Sequence, residues 1–526
     1  MNTSNDVSNA VIYAISRGYQ IHPDAFAFLK SIDLSPDIII KRIINRKEKL
    51  KEGRSIILND IKVLIGNGDG TEPGEPGKSV VILDRENGKE MIYQDQGEMY
   101  GNQYEILFDP TSKINSAEDE QDYIYLFQDR YQKLLRILSI RPESRRIRRI
   151  SAVKSEFNKK RSVNRSRIGT DQRNGDLEAS SKVQETVFVA GLLMSRRQLK
   201  NVIEIVIDDI SNGLMAVANT EQMQNQILTL ALDQMVMLEL DSTKKMGRHF
   251  LIKNIISPDI PDHVPNKSTS GSYLVLISDL HVGSKYFMEM EFITFIKWLS
   301  SDDLIAKKVK FVCIAGDIID GVGIFPDQDK ELNILDSSKQ IIIATKLLQQ
   351  IRKDIEIFII PGNHDIGRRA LPQSSLLAFM NDITNNFHVI GNPSLIKLNG
   401  VKVLMFHGQS LDDIIATTPG LSYSNPVEAM RLLLKARHLS PVYGQRTPIA
   451  PEKEDMLVIT DVPDIFHAGH VHIIGVERYK STLIVNSGAW QAQTRYQMTM
   501  GIVPTPGIAI LVDLSTLQPF QKCFIS

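Results

Sequence analysis

A set of polar side chains that can bind metal ions or transfer protons follows short apolar runs in the second half of the sequence. In chain order these residues are Asp279, His281, Asp317, Asn363, His364, His407, His470 and His472. Their donor atoms are imidazole nitrogens and carboxylate or amide oxygens, and no thiolate is among them. Such donors suit Mn²⁺, Fe²⁺ or Zn²⁺ at a reactive centre better than a structural zinc site.

The spacing of these residues strengthens the prediction of a metal site. In Asp279-x-His281, alternate side chains of an extended segment point the same way, so two ligands are expected to face one ion. His470 and His472 repeat this spacing. Asp317 follows a glycine, which allows a close approach, and a carboxylate there is expected to bridge two ions, as two-metal hydrolases require.

The elements that must position these residues are buried strands. The runs before the motifs are short, apolar and rich in β-branched residues, which is typical of strands buried on both faces of a parallel sheet. Helical periodicity over residues 292–299 and 339–351 supplies connections between them. Functional groups of open α/β sheets collect beyond the carboxyl ends of the strands, where all of these motifs are expected.

The fold class predicted for the whole chain of 526 residues is multidomain α/β. Residues 1–65 are expected to form a helical module, and residues 66–183 to contain linkers, a short β piece and a basic helix. Five short alternating strands with one interposed helix predict a small β-barrel of the oligonucleotide-binding (OB) type over 184–258. The α/β domain is expected to occupy 259–526.

The basic helix carries an arginine cluster that can neutralise phosphates without reading bases. The candidates are Arg145, Arg146, Arg148 and Arg149. Nucleic acid or a partner subunit is the expected ligand, because the excess of charge is local. A solvated basic linker without a ligand is the alternative.

Overall composition excludes several classes of protein. The formal net charge is −1, so bulk charge indicates no partner, and the two cysteines, Cys313 and Cys523, do not provide a disulfide framework. No apolar stretch approaches the roughly 18 residues that cross a bilayer, and the N-terminus has no signal pattern. We expect a soluble cytoplasmic protein that does not contact a membrane.

In order and type, the metal-binding motifs resemble those of the calcineurin-like metallophosphoesterases, most closely the branch of double-strand-break repair nucleases. The similarity covers residues 272–490. It implies that one ion is held by Asp279, His281, Asp317 and His472, and a second by Asp317, Asn363, His407 and His470. It also implies that His364 stabilises the transition state or protonates the leaving oxygen, with Asp365 as the candidate to orient it.

The wider arrangement resembles the small subunits of archaeal family D DNA polymerases. The similarity includes Asp109-Pro-Thr before the arginine-rich helix, the residues after His407, and Asn486-Ser-Gly-Ala-Trp490. It implies a 3′-to-5′ DNA exonuclease that proofreads single-stranded or frayed 3′ ends for a separate large catalytic subunit. Two divalent ions are implied, with Mn²⁺ expected and Fe²⁺ or Zn²⁺ as alternatives.

Several residues near the motifs are candidates to contact DNA. Arg368 and Arg369 can clamp a phosphate or begin a solvated helix, and Trp490 and Phe325 can stack a frayed base or be buried. Two other functions stay open at this stage. The chain can be a scaffold that has lost catalysis, or a stand-alone phosphoesterase for small esters.

Overall fold

The computed structural model describes residues 102–114, 121–167, 186–246, 249–380 and 383–525, with single residues and short strands between 10 and 93. The chain forms two compact units, Met1–Met99 and Tyr100–Ser526. Among the described residues, no helix combines the length and apolar character needed to span a membrane.

The described part of the first unit contains two strand pairs and a small apolar core. β1 (Gln20–Ile21) pairs in parallel with β2 (Ser55–Ile56), and β3 (Val80–Leu83) pairs antiparallel with β4 (Glu90–Tyr93). The core consists of Ala10, Ala14, Tyr19, Ala25, Leu29, Ile39, Ile40, Ile43 and Ile44. Most of the predicted helical module lies outside the described residues, so that module remains a prediction.

The second unit begins with a strand and two helices. β5 (Tyr104–Phe108) pairs with a strand some 290 residues later in the chain, a partner that the assignment of this region to linkers did not include. Helix α1 (Gln121–Leu138) and helix α2 (Ile150–Arg167) flank a short 3₁₀ turn, Pro142–Arg146. The arginine cluster therefore lies on this turn and the segment after it rather than on one basic helix.

A closed barrel of five strands follows, in the order β10-β8-β7-β6-β9. Its elements are β6 (Thr186–Gln198), β7 (Ile203–Asp208), β8 (Gly213–Ala218), α3 (Glu221–Leu228), β9 (Met235–Met246) and β10 (His249–Ile256). Ile203, Ile205 and Ile207 of β7 point inward in alternation, as strand geometry requires. The barrel and its interposed helix are present; that it belongs to the OB type remains a prediction.

Two six-stranded sheets make up the rest of the unit. The first, in the order β14-β13-β12-β11-β20-β21, contains β11 (Tyr273–Ile277), β12 (Val309–Ala315), β13 (Glu356–Ile360), β14 (Phe387–Val389), β20 (Ile508–Asp513) and β21 (Gln518–Cys523). The second, in the order β18-β19-β17-β16-β15-β5, adds β15 (Ser394–Leu398), β16 (Val401–Met405), β17 (Ile465–Ala468), β18 (Gly475–Tyr479) and β19 (Thr482–Asn486).

The two sheets pack face to face with helices outside them. In β11, Val275 and Ile277 face a core shared with helices, while Leu274 and Leu276 face the second sheet. A strand covered on both faces must be apolar throughout, which explains the continuous run. The helices are α4 (Glu289–Leu299) and α5 (Ser337–Leu348) against the first sheet, α7 (Pro426–Ala436) against the second, and the short α6 (Leu411–Thr417) and α8 (Arg495–Thr499).

Candidate metal centre

Loops that follow strands of both sheets bring the predicted ligands to one place. Asp279 follows β11, Asp317 follows β12 and Asn363 follows β13, while His407 and His470 follow β16 and β17 of the second sheet. Within each sheet these strands run parallel to one another, β11 with β12 and β13 in the first and β16 with β17 in the second. Their carboxyl ends therefore lie at the same edge, and the loops meet there.

Asp317 lies between histidines from both sheets. Its Oδ2 is 3.7 Å from Nε2 of His281 and 3.4 Å from Nε2 of His407. On one side, Nε2 of His472 is 3.1 Å from Nε2 of His281. On the other, Nε2 of His407 is 2.9 Å from Oδ1 of Asn363. The carboxylate thus has nitrogen donors on both sides, as a bridging ligand requires.

Three groups of side chains could each hold a metal ion, because the potential ligand atoms within each group lie within 4.8 Å of one another. They are Asp279, His281 and His472; Asp317, His407 and His470; and His281, Asp320 and His364. The first two groups correspond to the two ligand sets that the family resemblance implied. The structure therefore brings together all of the predicted ligands, with Asn363 joined through His407, and places His364 beside them.

The backbone at these ligands is unusual. Asp279, His281, Asp317, His470 and His472 all have left-handed conformations, with φ between 51° and 70°. The expectation that the two Asp-x-His-type pairs lie on extended chain is therefore wrong. Non-glycine residues in this region cost of order 1–3 kcal/mol each and are found where the surrounding structure holds them, often at functional sites. Sharp turns at the strand ends, rather than strand alternation, direct these side chains inward.

Two glycines allow the loops to approach closely. Gly316 has φ +86°, and a Cβ there would lie 2.7 Å from Nδ1 of His407. A Cβ at Gly362 would overlap the carboxylate of Asp317. Since neither position tolerates a side chain without displacing a ligand, both glycines are needed for the arrangement to form.

The charges of the cluster favour bound cations. Burial alone would lower the pKa of His281, but the hydrogen bond to Asp320 and the charges of Asp320, Asp317 and Asp279 raise it to about 9. His407 is likewise buried, and the charges of Asp317 and Asp279 raise its pKa to about 9. Oδ1 of Asp279 is buried and accepts no well-formed hydrogen bond, with Nε2 of His472 3.4 Å away. A buried carboxylate oxygen is costly when unpaired, so the residues fit a divalent ion that would compensate it.

His364 is held by a different residue than expected. Its Nδ1 is 2.8 Å from the carbonyl oxygen of Asp320, so this nitrogen carries the proton and Nε2 is left for the cavity. The carboxylate of Asp365 instead accepts hydrogen bonds from the backbone N–H groups of Gly362 and Ile319. Asp365 therefore fixes the loop, and its predicted role of orienting His364 belongs to Asp320.

Asp320 and Asp412 are functional candidates that the sequence analysis did not identify. Oδ1 of Asp320 is 2.8 Å from Nδ1 of His281, which directs Nε2 of that ring toward the ligands. Oδ2 of Asp412 is 3.2 Å from Nε2 of His470. Such carboxylates orient ligating histidines and tune their affinity for a metal. Asp320 lies three residues after Asp317, and Asp412 lies five residues after His407. This nearness to the motifs in the sequence could have identified both residues.

The predicted DNA-binding arginines have varied surroundings. Arg368 forms a 2.6 Å ion pair with the buried Glu452 and contacts the carbonyl of Pro372, so it holds a loop and the clamp predicted for it is wrong. Arg369 reaches the carbonyl of Gly323 at 3.3 Å from an exposed position. The four arginines of the first cluster are exposed and lie beside the barrel, where N–H of Arg148 donates to Phe188.

The two aromatic candidates differ in burial. Trp490 is fully buried and packs against Phe292 and Phe295, so it cannot stack a base. Phe325 lines the cavity beside the metal centre together with Tyr496.

Comparisons with known proteins identify relatives whose similarity covers the part of the chain that carries this site. The family of DNA polymerase alpha/epsilon B subunits matches residues 274–472, the part of the chain that runs from β11 to the last predicted ligand. The DNA polymerase II small subunit of Archaeoglobus fulgidus is 36% identical over 419 residues, which cover 76% of this chain and 77% of the relative. The chain belongs to the family of DNA polymerase II small subunits.

Other members of this family show similar agreement. The small subunit of Methanothermobacter thermautotrophicus is 35% identical over 416 residues, covering 77% of this chain and 80% of that relative. Among solved structures, one described as a novel archaeal phosphodiesterase has 15% identity, a TM-score of 0.25, and coverage of 48% of this chain and 98% of its own. That structural likeness is too slight to carry an argument.

Proposed function

We propose that this chain is a 3′-to-5′ DNA exonuclease that proofreads for a replicative DNA polymerase, whose large catalytic subunit is a separate chain. Membership in the small-subunit family supports the regulatory role. The observation that carries the nuclease proposal is the convergence of nitrogen and oxygen donors from separate loops around Asp317, with a buried oxygen on Asp279 that accepts no well-formed hydrogen bond. An active centre of calcineurin-like type accounts for both features.

Two divalent cations are part of the proposal, Mn²⁺ first and Fe²⁺ or Zn²⁺ as alternatives. Asp317 would be shared, with Asp279, His281 and His472 on one ion and with Asn363, His407 and His470 on the other. When bound, such ions supply a nucleophile from water near neutral pH and offset charge on the phosphate oxygens.

His364 is assigned to the leaving group. Its ring is buried, which lowers the pKa, and Nδ1–H donates to Asp320. Nε2 therefore faces the cavity. An anionic phosphate bound there would raise the pKa of the ring and favour its protonated form, which donates a proton to the departing 3′ oxygen. Asp320 is the positioning residue in this step, because it holds the tautomer.

The remaining parts are assigned to DNA and partner binding. We propose that the closed barrel is of OB type, and that Arg145, Arg146, Arg148 and Arg149 beside it contact DNA phosphates or the large subunit. Arg369 is retained as a phosphate contact because its side chain is exposed. The expected substrates are single-stranded or frayed 3′ ends.

The test is hydrolysis of a 3′-mismatched primer by the purified chain and by its complex with the large subunit, with and without Mn²⁺. His364→Ala should abolish hydrolysis while leaving Mn²⁺ stoichiometry and the unfolding transition unchanged. His388→Ala, which changes a partly buried histidine of β14 paired with Glu356, is the matched control and should remain active. Full activity in His364→Ala would refute the role of that residue.

Two outcomes would favour the alternatives. Absence of bound metal and of nuclease activity, even in the reconstituted complex, would indicate a scaffold that has lost catalysis. Preference for a small phosphodiester over a DNA 3′ end would indicate a stand-alone phosphoesterase.

A further inference from the structure

The cavity beside the metal centre has one wall that the ligands do not form. Its volume is about 250 Å³, and its floor includes Asp317, His364 and His472. Aromatic side chains, Phe325 and Tyr496, line it from two other loops. The proposed metal ligands do not need aromatic rings at these positions, so metal binding does not explain Phe325 and Tyr496.

The rings of Phe325 and Tyr496 are nearly parallel, at a separation that suits a stacked ligand. Their centroids are 6.4 Å apart and their planes differ by 28°. That distance is slightly less than two base-stacking intervals of about 3.4 Å each, so a small outward movement would admit a flat ring. Phe325 is also 6.4 Å from the ring of His364, which places this wall next to the reacting groups.

Burial does not account for Tyr496 as it does for Trp490 beside the same site. Tyr496 is 55% exposed, whereas Trp490 is fully buried against Phe292 and Phe295. An aromatic ring left exposed beside a reactive cavity loses the free energy that burial would give it. Stacking on a ligand restores that contribution, and such platforms are how proteins hold unpaired nucleobases.

Both rings are tied to the metal-binding loops through single residues. Tyr496 lies on α8, whose first turn is closed by a capping box between Thr494 and Gln497, and Nε2 of Gln497 is 2.9 Å from Nδ1 of His472. On the other side, Gln328 accepts from the N–H of Ile324 and donates to Asp320. The position of each ring is thus set relative to the histidines that would contact substrate.

We propose that Phe325 and Tyr496 form a stacking subsite for the unpaired terminal nucleobase of the strand being degraded. This inference rests on the proposed nuclease function and names its substrate class. A cavity of about 250 Å³ lies just below the usual 300–1,000 Å³ of ligand pockets, so it holds one nucleotide and not a base pair. Because every base has a stacking face, all four terminal bases should be accepted.

The test compares single-stranded oligonucleotides that end in a normal nucleotide or in an abasic one. For the unaltered chain, removing the terminal base should reduce kcat/KM about 5- to 150-fold, the range that corresponds to stacking of one base. In Phe325→Ala and Tyr496→Ala the two substrates should react at similar rates, whereas Tyr496→Phe should retain the preference. Tyr125→Ala, which removes an exposed tyrosine of α1, is the matched control.

A second measurement does not depend on hydrolysis. An oligonucleotide with 2-aminopurine at its 3′ end is mixed in EDTA with protein at a saturating concentration. It should lose fluorescence on binding to the unaltered chain and to Tyr125→Ala, but not to Tyr496→Ala. Fluorescence loss in EDTA, combined with no hydrolysis of any DNA when Mn²⁺ is supplied, would refute the proposed nuclease function and leave the stacking subsite standing. Unchanged base preference in both alanine variants, or no fluorescence loss in the unaltered chain, would overturn the inference.

Discussion

Two clusters of buried charge in the same unit are built differently. Around Asp455, Nε of Arg130 is 2.6 Å and Nε2 of His438 is 3.0 Å from Oδ2, while Oδ1 accepts from the N–H of Leu457. Every oxygen of that carboxylate has a donor in the chain. At the metal centre, Oδ1 of Asp279 is equally buried but accepts no well-formed hydrogen bond, and Nε2 of His472 lies 3.4 Å from it.

The difference separates a structural ion pair from a binding site. The pair of Arg130 and Asp455 joins α1 to a loop more than 300 residues away, and both oxygens of its carboxylate have donors in the chain, although Nη2 of Arg130 has no acceptor. The metal centre gathers Asp279, Asp317 and Asp320 with histidines, so its charge is balanced only by protons or by ions. Breaking the first cluster should therefore destabilise the fold, whereas altering the second should chiefly change what it binds.

The largest effect is expected from Arg130→Met. This change leaves the buried charge of Asp455 without its cation, which should lower the free energy of unfolding by about 3–5 kcal/mol. Urea denaturation provides the measurement. Arg136→Met, on the exposed face of the same helix, should change the free energy of unfolding by less than about 0.5 kcal/mol. Equal losses of unfolding free energy in the two variants would show that the ion pair of Arg130 and Asp455 does not stabilise the fold.

The pH dependence of stability should distinguish the clusters by its direction. Burial and the charge of Arg130 lower the pKa of His438 to about 4. Its folded pKa lies below the unfolded value of about 6.5, so stability should fall, by up to about 3 kcal/mol, as pH drops from 6.5 to 4.

At the metal centre the sign is opposite. His281 and His407 have pKa values raised to about 9, so metal-free protein should lose stability as pH rises from about 6.5 to 9. Saturating Mn²⁺ should remove this alkaline loss, because the ions replace the protons, whereas the acid loss caused by His438 should persist. Thermal unfolding across this range with EDTA or Mn²⁺ is the measurement. Stability that stays constant between about pH 6.5 and 9 in EDTA would show that protonated His281 and His407 do not stabilise the metal-free protein.

A smaller effect is expected from Asp412→Asn. The carboxylate contacts Nε2 of His470, and loss of such an outer contact typically weakens metal binding about 10- to 100-fold. Calorimetric titration with Mn²⁺ would measure it, with the exposed Asp461→Asn as control. A change of less than about threefold would show that Asp412 does not orient the ligand.

The smallest effect on stability is expected from Asp279→Asn in metal-free protein. Its Oδ1 has no donor closer than Nε2 of His472 at 3.4 Å, so neutralising the carboxylate should lower the free energy of unfolding by only about 1–2 kcal/mol while abolishing one Mn²⁺ site. The same substitution at Asp455 leaves Arg130 unpaired and should cost several kcal/mol. Urea denaturation in EDTA of both variants compares the clusters directly, and similar losses would remove the distinction between them.

Local features of the sequence were enough to predict which side chains meet at the candidate metal centre. Each ligand lies just after an apolar run, and such runs are strands buried on both faces whatever their partners. The position of a motif after a strand depends only on neighbouring residues, and parallel strands end at one edge. The helices over residues 292–299 and 339–351 followed from their periodicity in the same way, and α4 and α5 confirm them.

Tertiary structure alone decided which side chains serve those ligands. His364 contacts Asp320 and not Asp365, and Arg368 forms an ion pair with Glu452. Both contacts depend on loops whose turns are set by distant packing. Left-handed backbone at Asp279 and His281 redirected side chains that an extended chain would have placed otherwise. Strand position is encoded within a few residues, but the direction of a side chain in a loop depends on contacts formed only after the sheets have packed.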